Sequence, residues 1–352
     1  MPLDEAGMNA FVGKLIGDMG AAFTAPLIVL GDRLGLYKAL AEIGPATADA
    51  LAERTDTFPR YVREWLAAQA AAGNVSYDAD AGTFAMSPEQ VLAFADETSP
   101  VFMPGAYDIV ASMFLDGEQV ADAFRSGEGI GWGEHNTCLF RGTERFFRPG
   151  YAANLVQSWL PALDGIVAKL EAGAKVADVG CGHGATTIIM AQAFPRARFY
   201  GFDYHVPSVE RARQLAREAG VADRIQFEVA PAAAFPGSGY DLVAFFDCLH
   251  DMGDPAGAAR HVRESLAVDG TWMVVEPFAH DELRDNLNPV GRVFYAASTM
   301  ICTPASRAQD GACCLGAQAG EARLRDTITQ AGFGRFRRAT ETPFNMVLEA
   351  RP

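Results

Sequence analysis

The stretch that most constrains this chain is Val176-Ala-Asp-Val-Gly-Cys-Gly-His-Gly-Ala-Thr-Thr187. Ahead of it, Lys175 to Val179 is a short β-branched run that reads as a buried strand. Behind it, Thr186 to Phe194 has helical apolar spacing, with Ile188, Ile189 and Ala193 on one side. Strand, glycine turn and helix open a nucleotide-binding α/β unit. Gly180, Gly182 and Gly184 let the backbone turn sharply and let a ligand approach without a Cβ in the way. The third glycine comes one residue earlier than in the dinucleotide fingerprint, and Asp178 stands where that fold usually carries an apolar residue. Asp203 ends a second strand, Arg198 to Phe202, where a carboxylate can accept both hydroxyls of a ribose.

Downstream the chain alternates. Val206 to Ala219 reads as a helix, Ile225 to Val229 and Asp241 to Phe246 as strands, Pro255 to Leu266 as a helix, and Thr271 to Glu276 as a strand. That alternation predicts a parallel sheet with helices on both faces. Ala322 to Ala331 reads as a helix, and Arg335 to Thr340 with Phe344 to Ala350 as a closing hairpin. Ligands of such sheets bind beyond the carboxyl ends of the strands, at the switch point. Asp178 to Gly184, Asp203, Phe246 to His250 and Glu276 all fall there.

The N-terminal ninety residues differ. Phe11, Leu15, Met19, Phe23 and Leu27 recur at helical spacing. Three short helices follow, Leu34 to Ile43, Ala46 to Arg54 and Pro59 to Ala72, with Thr47 and Thr57 as caps and Gly44-Pro45 as a break. A ribbon, Asn74 to Tyr77 with Thr83 to Ala85, completes a winged helix. Charge argues against a nucleic-acid partner: residues 1–90 hold six Lys/Arg against twelve Asp/Glu, within a chain of net charge −15. The third helix offers only Arg60 and Arg63 against Glu64, while Tyr61, Trp65, Leu66 and Ala68 read as packing surface. Dimerisation fits better, since the apolar helices before it otherwise lack a partner.

At 352 residues the length suggests about two domains. The six cysteines form no Cys-x-x-Cys pair and show no zinc spacing, and Asp247, Asp251 and Asp254 crowd one turn, so no metal is expected. The apolar run Ala21 to Leu30 is too short to span a bilayer, and no signal peptide precedes Met8, so a cytoplasmic protein without a membrane partner is expected. The domains read as 1–90, helical and winged; 91–165, a helical linker; and 166–352, the α/β domain. In the linker, Phe140, Phe146, Phe147 and Tyr151 alternate with Arg141, Arg145 and Arg148, and helices are expected from Tyr151 to Leu160 and from Ala162 to Leu170.

The glycine loop with Asp178 and Asp203 resembles the S-adenosylmethionine (SAM) loop of class I methyltransferases. Phe246-Asp-Cys-Leu-His-Asp-Met-Gly-Asp-Pro255 resembles the Leu-His-Asp-Trp-Ser-Asp segment of small-molecule O-methyltransferases, which also carry an N-terminal winged helix used for dimerisation. Val176 through Pro352 is similar to uncharacterised actinobacterial members. The resemblance implies a Rossmann-like class I methyltransferase sheet of seven strands with a C-terminal antiparallel hairpin. It also implies SAM as cofactor and a homodimer. Asp178, Gly180, Cys181, Gly182, Gly184, Asp203, Tyr204, Phe246, Asp247 and Tyr151 are implied as cofactor-binding. His250 would take the acceptor's proton and Glu276 would orient it; the reading of His250 as a helix-start residue stays open. Met252 departs from the family's Trp, and Ala230-Pro231-Ala232 from its Gly-Asp-x. The second family carboxylate falls near Gln318 or Glu321 and is unassigned. The insertion from His280 to Gly316 reads as an acceptor wall, with Asn286, Asn288, Arg292, Tyr295, Ser298 and Thr299 as polar candidates, or as a dimer-packing helix from Pro289 to Ile301. A DNA-binding regulator without catalysis, or transfer to nitrogen or carbon, remain the alternatives.

Overall fold

The structure, a computed structural model, describes residues 3–352; the first two residues of the expected N-terminal domain lie outside it. The chain divides into two compact units. One comprises the chain up to Phe114 with Thr137–Pro149, the other Leu115–Asn136 with Gly150–Pro352. Residues 91–165, read as one linker, are thus shared between them.

In the first unit the apolar residues expected at helical spacing lie on a single 29-residue helix, α1 (Glu5–Arg33), which runs through Pro26. Its ends follow from sequence: Asp4 caps the N-terminus by accepting from the Ala6 amide, and Arg33 lies in the last turn. Only Ala25, Ile28 and Gly31 of this helix are buried, while Phe11, Leu15, Met19 and Phe23 stand out into solvent, Phe23 at 71% exposure. By length and composition α1 is apolar enough to cross a membrane, which the shorter Ala21–Leu30 run did not suggest.

Three helices follow: α2 (Leu36–Ile43), α3 (Ala48–Thr55) and α4 (Pro59–Ala71). Thr47 caps α3 through the Ala50 amide. Thr57 does not cap α4; Phe58 occupies that position, and the Thr57 hydroxyl bonds Thr55 instead. Strands β1 (Ser76–Asp78) and β2 (Thr83–Ala85) pair antiparallel as the wing, and Ala46 bridges to Phe84. Tyr37, Leu40, Leu51, Trp65 and Leu66 form the core, with the Tyr37 hydroxyl donating to Gln69 at 2.7 Å. Tyr61 is the exception to the expected packing face, at 79% exposure. Arg145, on the helix Cys138–Asn154, pairs with Asp32 at 2.7 Å and with Asp108 at 3.5 Å, so the basic residues of that aromatic segment serve the unit's interior.

The second unit is built on a seven-stranded sheet in the order β5-β4-β3-β6-β7-β9-β8. Its strands are β3 (Lys175–Val179), β4 (Arg198–Asp203), β5 (Ile225–Val229), β6 (Tyr240–Phe246), β7 (Leu266–Pro277), β8 (Arg335–Glu341) and β9 (Asn345–Arg351). The first five are mutually parallel; β9 runs antiparallel to β7 and to β8, which is the expected terminal hairpin. Val176, Val243, Phe245, Val274 and Leu348 are all fully buried, as strands covered on both faces must be. The order reverses between β3 and β6, and the crevice at that reversal is where the glycine loop and the Phe246–His250 turn emerge.

Candidate functional site

The glycine loop is shaped by close approach. Gly180 has φ +73°, and a Cβ there would stand 2.7 Å from Cys248 Sγ on the neighbouring strand's exit. Gly184 has φ +77°, with the Phe227 ring 2.6 Å from the Cβ position. A side chain at either residue would force the loop off β3. Gly182, by contrast, faces open space. The loop is tied to β4 by the Gly180 and Cys181 amides, which both donate to the Phe202 carbonyl, and by the Gly182 amide, which donates to Asp203 Oδ2 at 2.9 Å. Asp203 Oδ1 accepts from the His205 amide at 2.8 Å. Each Asp203 oxygen keeps a lone pair for a ligand. Burial raises its pKa.

Asp178 sits under the loop, almost completely buried. Its Oδ2 accepts from the Thr186 and Thr187 hydroxyls, both at 2.6 Å, so the carboxylate pins the start of the following helix (Ala185–Ala193). Its Oδ1 is buried with no donor from the protein. Burial pushes this carboxyl up to about 6, against the lowering effect of the two hydroxyls.

Other expected ligand contacts are engaged within the protein. The Cys181 thiol packs inward, 3.1 Å from where a Gly201 Cβ would lie and 3.9 Å from the Gly182 carbonyl. Tyr151 and Asp247 find each other: the hydroxyl donates to Asp247 Oδ2 at 2.7 Å, and Asn345 Nδ2 donates to Oδ1 at 2.8 Å. Asp247 holds a left-handed φ of +50°, and burial pushes its carboxyl up to about 7. The Phe246 ring lies 5.5 Å from that of Tyr151 and closes this corner. Tyr204, half-exposed after Asp203, takes a hydrogen bond from the Trp132 backbone. His205 occupies the N-cap position of the next helix (Val206–Glu218), with its Nδ1 2.8 Å from the Ser208 hydroxyl.

At the exit of β6, Leu249–Asp251 forms a single 3-10 turn carrying His250, which is buried. His250 Nδ1 meets Glu276 Oε2 at 2.5 Å, and Glu276 Oε1 accepts the Leu249 amide at 2.9 Å. Glu276 is itself buried on β7, so the carboxylate fixes both the turn and the ring. On the other side Nε2 lies 3.1 Å from Asp251 Oδ1. Burial disfavours the charged ring, but the Asp251 and Glu276 carboxylates outweigh it and raise the His250 pKa well above its usual value.

The insertion is stitched onto this turn. Ser306 donates to the Met252 carbonyl, Gln309 to the Asp251 carbonyl, and the Gly316 amide to that of His250. Several expected acceptor contacts hold the insertion together instead. Asn286 bonds the backbone of His280 and Glu282, Asn288 caps the helix Pro289–Ala297, and Ser298 accepts the Ala317 amide. Neither position near the expected second carboxylate faces His250: Gln318 bonds backbone carbonyls and Glu321 pairs with Arg338. What reaches His250 is Cys302, at the end of a π-helical turn, Ser298–Cys302. No spacing in the sequence signalled it, because it is 52 residues from His250 and only the fold joins them.

Residues 170–329 match a family described as a methyltransferase domain, and residues 22–95 an Rv2258c-like winged HTH domain. Among similar curated proteins, 27-O-demethylrifamycin SV methyltransferase of Amycolatopsis mediterranei is 33% identical over 35% of this chain and 48% of its own length. Mitomycin biosynthesis 6-O-methyltransferase of Streptomyces lavendulae is 26% identical over 72% of this chain and 74% of its own. The chain thus spans about half the length of the first of these and about three quarters of the second. Among solved structures, mitomycin 7-O-methyltransferase MmcR superposes with a TM-score of 0.69 at 22% identity, covering 99% of this chain and 100% of that one. Human N-acetylserotonin methyltransferase in complex with SAM superposes with a TM-score of 0.72 at 17% identity, covering 99% and 98%. At those identities the likeness establishes the fold.

Proposed function

Starting from a chain that carries a class I methyltransferase domain behind an Rv2258c-like winged domain, we propose that it is a SAM-dependent O-methyltransferase of small molecules. The residues present fit that cofactor. The donorless Asp178 Oδ1 offers a buried acceptor to an amino group, Gly182 leaves the loop open, and Asp203 retains lone pairs for two ribose hydroxyls. When bound, SAM supplies a methyl group on a sulfonium, already activated for displacement by an in-line nucleophile.

The protein's own work is then to orient an acceptor and move its proton. The observation that carries this reading is Glu276 on His250 Nδ1: it fixes that nitrogen and assigns Nε2, whose neighbour is Asp251 Oδ1 at 3.1 Å, as the one that takes the hydroxyl proton. The imidazolium so formed stands between two carboxylates, Glu276 on one side and Asp251 on the other, which stabilise it. Aligning the acceptor falls to the insertion, which walls the His250 turn. Replacing His250 by Ala should lower turnover by about 10²–10⁴-fold and leave S-adenosylhomocysteine affinity within about twofold. Unchanged turnover would remove His250 from the mechanism.

A homodimer through the N-terminal unit is part of the same proposal. The supporting observation is the exposed apolar row of α1, for which this chain alone provides no cover. DNA is not assigned as a partner, since Arg60 pairs with Glu64 and Arg63 with Asp49 on the helix that would have to read it.

A further inference from the structure

His250, Asp251 and Cys302 each present one donor atom, and the three atoms lie within 4.8 Å of one another. An imidazole nitrogen, a carboxylate oxygen and a sulfur converging on one point is a donor set suited to zinc. Three protein ligands also leave the fourth tetrahedral position open. Two further features distinguish this cluster from a chance encounter. Glu276 bonds His250 Nδ1, which turns Nε2 toward the cluster, 3.1 Å from Asp251 Oδ1; a carboxylate behind a ligating histidine is the usual outer support of a zinc site. Cys302 is brought there by a π-helical turn interrupting the helical stretch 289–307, a distortion that recurs at functional sites. The Asp251 side chain, 22% exposed, leaves the cluster a way in from solvent.

We propose that His250 Nε2, Asp251 and Cys302 form a divalent zinc site that switches the enzyme off. Binding displaces the thiol proton to solvent and forms a Zn–S bond. The metal occupies the same Nε2 lone pair that the acceptor's proton needs, so occupied and catalytic states exclude each other. Binding itself requires neither SAM nor acceptor. Only the inhibitory consequence rests on the base role of His250.

The test is titration of the full-length protein with Co²⁺ as spectroscopic probe, followed by Zn²⁺ competition against a chromogenic chelator. One equivalent of Co²⁺ producing a thiolate-to-cobalt charge-transfer band, bleached by Zn²⁺, is expected. Cys302→Ser should remove the band and weaken Zn²⁺ at least tenfold, and Asp251→Asn should weaken it at least tenfold with the band retained. The double variant Cys313→Ser/Cys314→Ser should match wild type, since those thiols lie outside the cluster. A band that follows Cys313 and Cys314, or Zn²⁺ affinity equal in wild type and both single-site variants, would overturn the proposal. If either single variant misfolds by circular dichroism, absence of the band in wild type decides against the site and its presence with the double variant decides for it. Zn²⁺ binding as expected without inhibition of methyl transfer would overturn the switch and implicate the base assignment, not the site.

Discussion

Glu276 holds two neighbours of one turn at once: Oε2 meets His250 Nδ1 and Oε1 accepts the Leu249 amide. A single buried carboxylate on β7 therefore sets both the backbone of the turn leaving β6 and the tautomer of the ring it carries. Replacement by Gln preserves the shape but removes the charge. We expect kcat to fall by about 10–10³-fold in Glu276→Gln, measured by initial rates at saturating SAM.

The same carboxylates give the pH profile a direction. Burial opposes the charged ring, but Asp251 and Glu276 outweigh it and raise the His250 pKa, so the pH at which the ring becomes free to act as base is shifted upward. Wild-type kcat/KM should keep rising above neutral pH. In Glu276→Gln one of the raising charges is gone, and the rising limb should move to lower pH. A limb that stays in place would disconnect His250 from the rate.

Burial disfavours the charged forms of Asp178 and Asp247. Their folded pKa values, raised by burial to about 6 and about 7, exceed the usual carboxylate value. Each therefore contributes its stability fully below the unfolded pKa and loses it as pH rises through the raised value. Ligand-free protein should lose Tm between pH 5 and pH 8. Asp178→Asn should reduce that loss by about 1–3 kcal/mol at neutral pH while weakening S-adenosylhomocysteine. Differential scanning calorimetry across pH checks the first effect and ligand titration the second.

Phe11 and Phe23 test the proposed dimer. Changing both to Asp places two charges on the apolar row of α1 without touching the buried core of its unit. Sedimentation velocity should show monomers for the variant and dimers for wild type. Wild-type protein that co-sediments with lipid vesicles, and is monomeric without them, would assign α1 to a membrane instead.

The parts legible in the sequence were those set by local chemistry. Glycines at positive φ, an acid inside one strand and another ending the next, alternating elements and the terminal hairpin all declare themselves over a few residues, and the winged helix by its short capped helices. What stayed hidden came from packing between distant segments. Cys181 reads as a loop residue but turns inward because Gly201 leaves room for sulfur. Tyr151 and Asp247, both expected to meet the cofactor, bond each other across 96 residues. The insertion's polar residues look like acceptor contacts in sequence, yet Asn286, Asn288 and Ser298 satisfy backbone groups that an irregular segment cannot pair by itself. Cys302 had no signal, because nothing local distinguishes it from any buried cysteine.

The most direct measurement is calorimetric titration of the purified chain with S-adenosylhomocysteine, with NAD run beside it and Asp203→Ala as the paired variant. The account predicts micromolar binding of the first, none of NAD, and an affinity about 10–100-fold weaker in Asp203→Ala, from lost charge-assisted hydrogen bonds. Binding of NAD in place of S-adenosylhomocysteine would contradict the reading of Gly180 to Gly184, and with it the assignment of His250 as the base of a methyl transfer.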